Sequence, residues 1–277
     1  MRAAGEGTAR PHRYGGNAMK PICRMLLAAA AMLVSPSAFA EPALSFNTDY
    51  VITLRGFTIA RASFEGSLRG ERYTVNGKLA SAGLARIFDK TDATARAVGE
   101  ISKGAVRPES FLLNYAQGKT TSRTHILFRD GNVVKTEIEP NPAPPSDKII
   151  PITKVDLQSV TDPVTATLFA RGLPEEICGR TLRLFEGGTR IDIKLSPKTV
   201  GFVYGAGNHA VTCRGTVVPV AGIERGNATW DYLRRHANAE FVYVPAGSGR
   251  LYMLHSISTR TEIGTVKLRA WRRHVSG

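Results

Sequence analysis

Residues 182 to 195 read Leu-Arg-Leu-Phe-Glu-Gly-Gly-Thr-Arg-Ile-Asp-Ile-Lys-Leu, "LRLFEGGTRIDIKL". Leu182 and Leu184 alternate with polar neighbours, and Ile191, Ile193 and Leu195 do the same on the far side of Glu186-Gly187-Gly188-Thr189. Alternation with a period of two puts every second side chain on one face of a strand. A glycine pair between two such runs is a hairpin signal. This stretch therefore predicts two antiparallel strands with one apolar face.

The same rhythm runs through the chain. Phe46, Tyr50, Ile52 and Leu54 are separated by Asn47, Asp49 and Thr53, and Tyr73, Val75 and Leu79 by Thr74, Asn76 and Lys78. Thr124, Ile126 and Phe128 alternate with Arg123, His125 and Arg129, and strands are also expected over 241–244, 251–257 and 263–271. One apolar and one mixed face is the pattern of an antiparallel sheet buried on one side. The expected fold is mainly β: a curled antiparallel sheet or open β-barrel-like meander, with one or two short helices. A long meander curls or closes to remove its edges. Helix signals are sparse. Asp162-Pro163 is a start signal ahead of "VTATLFAR", with Gly172 as a stop, and "AGLARIF" at 82–88 predicts one helical turn. The proline-rich stretch "EPNPAPPSDKIIP", 139–151, cannot be a central strand and joins two strand-rich halves of a single expected domain, 41–277.

Residues 19 to 40, "MKPICRMLLAAAAMLVSPSAFA", have the three parts of a secretory signal peptide. Lys20 and Arg24 precede the apolar run Leu26–Val34, and Ala38-Phe39-Ala40 is a small-x-small cleavage site ahead of Glu41. The run is shorter than the roughly 20 residues of a membrane-spanning helix. Cleavage between Ala40 and Glu41 is expected to leave a periplasmic protein without a transmembrane anchor. Residues 1–18 are read as an extension ahead of a translation start at Met19.

Cleavage removes Cys23 and leaves Cys178 and Cys213. Two cysteines in an exported chain most simply form one disulfide. Neither has a second cysteine or histidine at metal-ligand spacing, apart from His209 four residues before Cys213. The whole chain carries 37 Lys and Arg against 23 Asp and Glu. Residues 1–40 hold five of the former and one of the latter, so 41–277 hold 32 against 22, a net +10. In the cytoplasm that charge would point to nucleic acid. Outside it, the polyanions on offer are lipid headgroups, lipopolysaccharide phosphates and acidic glycans. Arg234-Arg235 beside Tyr232, and Arg272-Arg273 beside Trp271, are the candidate anion-binding positions.

No motif for a nucleophile elbow, a zinc-protease helix or a phosphate-cradling loop is present. Asp89 and Asp92 are neighbours in sequence, which says little about a cleft between two carboxylates. The reading is of a non-enzymatic protein without cofactor or metal.

The stretch 54–88, "LRGFTIARASFEGSLRGERYTVNGKLASAGLARIF", resembles the opening of an uncharacterised proteobacterial envelope family, domain of unknown function 3108. "DPVTATLF" at 162–169 and "CGRTLRLFEGGTRIDIKL" at 178–195 resemble that family's middle segment and following hairpin. The resemblance implies a signal peptide, a β-rich periplasmic fold and no assigned activity. The functional expectation is a structural or partner-binding factor of the envelope. The alternative is a carrier that holds a lipid or other amphipathic ligand in the concave face of the sheet. The expected partners are an envelope lipid, an acidic glycan or an envelope protein, and not nucleic acid.

Overall fold

Fourteen strands run in one antiparallel sheet whose two ends are strands from the middle of the chain. The computed structural model describes residues 43–277 except 103, 171, 237–238 and 248–250. The readings of residues 1–18, of the signal segment 19–40 and of the Ala40–Glu41 cleavage pair lie outside the described residues. The first half contributes β1 (Leu44–Leu54), β2 (Phe57–Arg69), β3 (Arg72–Ser81), β4 (Thr91–Ser102), β5 (Ala105–Gln117), β6 (Thr120–Arg129) and β7 (Asn132–Glu139). The second contributes β8 (Leu168–Ala170), β9 (Thr181–Phe185), β10 (Arg190–Val203), β11 (Gly207–Ala221), β12 (Ala239–Ala246), β13 (Leu251–Thr261) and β14 (Gly264–Ser276). Short helices α1 (Ala85–Phe88), α2 (Pro174–Cys178) and α3 (Ala228–His236) sit between strands.

The spatial order is β7-β6-β5-β4-β3-β2-β1-β14-β13-β12-β11-β10-β9, with β8 paired to β13. The first and last strands therefore meet at the centre, where Phe46 pairs with Val275 and Leu54 with Val266. The edges β7 and β9 do not pair with each other. The 157–161 segment spans the gap. Val133 donates its N–H to the Leu157 carbonyl, and Val160 donates to Gly131, beside β7. Thr161 then donates to Arg183, and Phe185 donates to Thr161, on β9. A run of five residues thus supplies backbone partners to both edges, which would otherwise offer unpaired groups. The hairpin at 182–195 forms as its sequence predicts, with Ile193 opposite Leu182 and Ile191 opposite Leu184.

The inner face carries the alternating apolar residues. In β1, Leu44, Phe46 and Tyr50 are buried, and Thr48 between them is buried too. Their counterparts on β3 to β6 are Val75, Ala97, Phe111 and Ile126, which join Phe185, Leu251 and Met253 in one core. Curling brings bulky residues on this face close together, and glycine makes room for them. Phe46 lies opposite Gly66, and Phe64 opposite Gly77. A methyl group at Gly66 would come within 2.1 Å of the Phe46 ring, so the ring rests on bare backbone.

The segment read as a helix after Asp162 is instead a single 3-10 turn, Thr165–Thr167, followed by strand β8. The start signal is correct: Asp162 Oδ1 accepts the N–H groups of Val164 at 3.0 Å and Thr165 at 2.8 Å. The continuation is not helical because Leu168, Phe169 and Ala170 are all buried and pair with β13. Tertiary burial overrides the helical reading of "VTATLFAR". Helices α2 and α3 were not read from the sequence, although Pro174 at the first helical position and Asn227 at an N-cap are start signals of the same kind. Their starts are capped by Glu176, whose carboxylate accepts the Leu173 N–H, and by Asn227, which accepts the Trp230 N–H. The 82–88 turn is α1.

Candidate functional site

Beyond the closed core, the inner face of β3 to β6 continues as a row of smaller side chains. The ladders place Leu79 opposite Ala93, Ala93 opposite Tyr115 and Tyr115 opposite Ser122. Counting by twos from Val75, Ala97, Phe111 and Ile126 puts these four on the core side of the sheet. A concavity of about 770 Å³ lies on this part of the sheet. Besides these four residues it is lined by the alternate rows Lys78, Thr94, Asn114, Arg123 and Ala80, Asp92, Ala116, Thr121, which the same count puts on the face away from the core, and it reaches Glu139. Its lining carries charges of both signs. Arg123 lies 3.7 Å from Glu139, and Arg86 holds Asp92 at 3.0 Å. That hydrogen bond, with the nearby positive charge, keeps the Asp92 carboxyl below its ordinary range. Asp89 is engaged separately, accepting from Gln117 and Thr91.

The two basic clusters do not converge. Arg234 and Arg235 ride on α3, which packs against β11 and β13, and Arg234 is paired with Asp231 at 2.7 Å. Arg272 and Arg273 lie on β14 opposite Asp49 and Thr48 of β1. Arg272 stacks on Trp271 at 4.5 Å and stands 3.9 Å from Asp49. These two arginines line a small hollow of about 180 Å³ with Gly205, His255 and Ala270. Burial, together with Arg273 and Arg269, pushes the His255 imidazole down to about 4, so it is neutral at neutral pH. Arg269 also lies over the Tyr204 ring at 5.7 Å.

The structure joins Cys178 to Cys213 in a disulfide with Cα atoms 5.3 Å apart. It ties the last residue of α2 to β11 within a core that includes Phe169, Phe241 and Tyr243. Both cysteines are buried, so the bond is part of the frame and not of the concavity. Among the described residues, no group of His, Cys, Asp or Glu could hold a metal ion, and no helix is long and apolar enough to cross a membrane.

One feature has no counterpart in the sequence reading. The apolar side chains of Phe57, Leu84, Ile87, Phe88 and Ile263 are between 63% and 87% exposed. The signal was available in "GLARIF", whose apolar residues have no alternating partner in a strand.

A family model described as a protein of unknown function, DUF3108, matches residues 49–270. The chain belongs to this family. No curated protein matches it. Among solved structures, this DUF3108 chain is similar to a β-barrel-like protein of domain of unknown function DUF1849 from Brucella abortus. The identity is 12%, the TM-score is 0.45, and the match covers 84% of this chain and 98% of that one.

Proposed function

We propose that this DUF3108 chain is a non-catalytic protein of the bacterial periplasm that holds an amphipathic ligand in the concavity between β3 and β6. One observation carries the reading: a concavity of about 770 Å³ in which Ala80, Ala116 and their neighbours on β3 to β6 are joined by a few polar and charged groups. That volume lies within the roughly 300–1,000 Å³ of small-molecule sites, which are mostly apolar with a few polar groups. Each methylene buried there contributes about 0.8 kcal/mol. The lining residues Lys78 and Arg123 suit an acidic headgroup. The export expectation from residues 19–40 puts envelope lipids within reach of the protein.

Titration with a fluorescent fatty acid, kept below its micelle concentration, tests this reading. Saturable binding at one site is expected, and Ala116→Trp should weaken it at least about tenfold while leaving the melting temperature of the free protein unchanged. Failure of the parent to bind, or undiminished binding by Ala116→Trp, overturns it.

A second reading, a partner-binding factor, is favoured by the tip of the β10–β11 hairpin. Val200, Phe202 and Tyr204 are exposed there, beside Arg269. Contiguous exposed apolar residues mark contact surfaces.

A further inference from the structure

The exposed apolar residues of the first half share one end of the sheet. Alternate connections of an antiparallel meander fall at the same end, so β1–β2, β3–β4, β5–β6 and β13–β14 turn together. Direct contacts join them. Arg55 donates to the carbonyls of Thr265 and Ile263, so the β1–β2 and β13–β14 turns touch. Ala82 donates to Ile59, and a methyl group at Gly83 would come within 2.6 Å of the Thr58 carbonyl oxygen. Gly118 donates to Lys90, and Gln117 to Asp89. These turns make one continuous rim. Phe57, Leu84, Ile87, Phe88 and Ile263 project from it.

Helix α1 shows that the exposure is built in. A surface helix ordinarily turns its apolar side inward. Here Arg86 lies back along the sheet: its guanidinium donates to the Ser81 carbonyl at 3.2 Å and to both oxygens of Asp92. That bidentate grip fixes the turn with Leu84, Ile87 and Phe88 outward, 72%, 74% and 87% exposed. Ordering a turn so that its largest apolar residues face out has no benefit to the fold.

The charges around the rim select the occupant. Arg55, Lys90, Lys119 and Arg260 are exposed there, against Asp89 and Glu262, while Arg86 and Asp92 neutralise each other. A second copy of this rim would set the same cations against themselves. An anionic lipid surface would take the apolar tips among its acyl chains and the cations at its headgroups. We infer that this rim of turns docks on an anionic lipid surface. The inference is separate from ligand binding in the concavity, though the concavity borders the same end through Ala80, Asp92 and Ala116.

Sedimentation of the full chain, as recovered from expressing cells, with vesicles tests it. One set contains phosphatidylethanolamine with phosphatidylglycerol, and the other phosphatidylcholine alone. The parent should sediment with the anionic vesicles. The double variant Ile87→Asp/Phe88→Asp should lose affinity at least about tenfold with an unchanged melting temperature, since both side chains are exposed. Lys90→Glu/Lys119→Glu should lose the preference for anionic vesicles, and Phe202→Asp/Tyr204→Asp should sediment as the parent does. All variants share the parent's first 40 residues, so differences among them report the described surface. The inference is overturned if the parent does not sediment with anionic vesicles, if Ile87→Asp/Phe88→Asp sediments equally well, or if size-exclusion shows a parent dimer that this variant splits. Fatty-acid titration of the same double variant keeps the two sites apart, because binding in the concavity should be retained.

Discussion

Arg190 donates from Nε to the backbone carbonyl of Asp156 at 2.9 Å, through a side chain only 1% exposed. The contact ties the start of β10 to the loop that leads into residues 157–161. The same guanidinium donates to the Ile191 carbonyl at 2.8 Å and pairs with Asp192 at 2.6 Å. Asp156 in turn accepts from the backbone and hydroxyl of Thr153, which holds its carboxyl below the ordinary range. The segment that bridges β7 and β9 thus hangs on one buried cation.

Replacing Arg190 by Met should destabilise the fold by about 2–4 kcal/mol, because it leaves the half-buried Asp192 carboxylate and the Asp156 carbonyl without their partner. Urea denaturation measures the loss. Hydrogen exchange should also speed up first at the amides of Val133 and Val160. The double variant Arg190→Met/Asp192→Leu should recover much of the stability, since it removes the orphaned charge as well.

Asp162 gives a pH signature. Burial pushes its carboxyl up to about 6, above the ordinary 3.8, even though two N–H groups hydrogen-bond to it, and its Oδ2 is buried without a hydrogen-bond partner. Between these two values the folded chain binds more protons than the unfolded chain, so stability should fall as pH rises through that window. Asp162→Asn keeps the capping acceptor and removes the slope. It should gain on the parent by up to roughly 3 kcal/mol between pH 4 and pH 7.5, as read by urea midpoints at both values. At pH 4, where the buried carboxyl is protonated, Asp162→Ala should cost about 1–2 kcal/mol through loss of the cap.

For the disulfide, thiol labelling of denatured, unreduced protein should find neither Cys178 nor Cys213 free. The bond joins residues separated by 35 positions. Cys213→Ala should therefore destabilise by about 4 kcal/mol on the chain-entropy estimate. The effect should be read against Cys178→Ala, which should match it.

Gly66→Ala should cost about 1–3 kcal/mol, because a methyl group there meets the Phe46 ring at 2.1 Å. Pairing it with Phe46→Leu should return part of the loss in a thermal melt. An additive result would show that the ring and the glycine are not coupled.

The sheet was legible because strands repeat every two residues and the repeat survives in Leu182–Leu195, Tyr73–Leu79 and Thr124–Phe128. The Asp162 cap was legible as a local signal. The strand after it was hidden, because Leu168–Ala170 takes that form only where β13 offers an edge. Arg190 carries no local mark of its role: an arginine beside a turn reads as a solvent residue until the loop above it is in place. The concavity was not legible. Its position depends on where Ala80, Ala116 and Thr121 of three strands fall in register. The outward face of α1 was hidden because "GLARIF" has the composition of a buried turn, and only the grip of Arg86 on Asp92 reverses it.

The meeting of β1 and β14 sets an order on assembly as the chain emerges. Ser45 and Ser276 share a hydrogen bond across 231 positions. The first strand to emerge is also the central one, and its second neighbour is the last to be made. Until then, seven strands present an open β1 edge of the kind that recruits foreign strands. Such distant pairing makes for slow folding. The edge of β1 therefore stays open until β14 arrives.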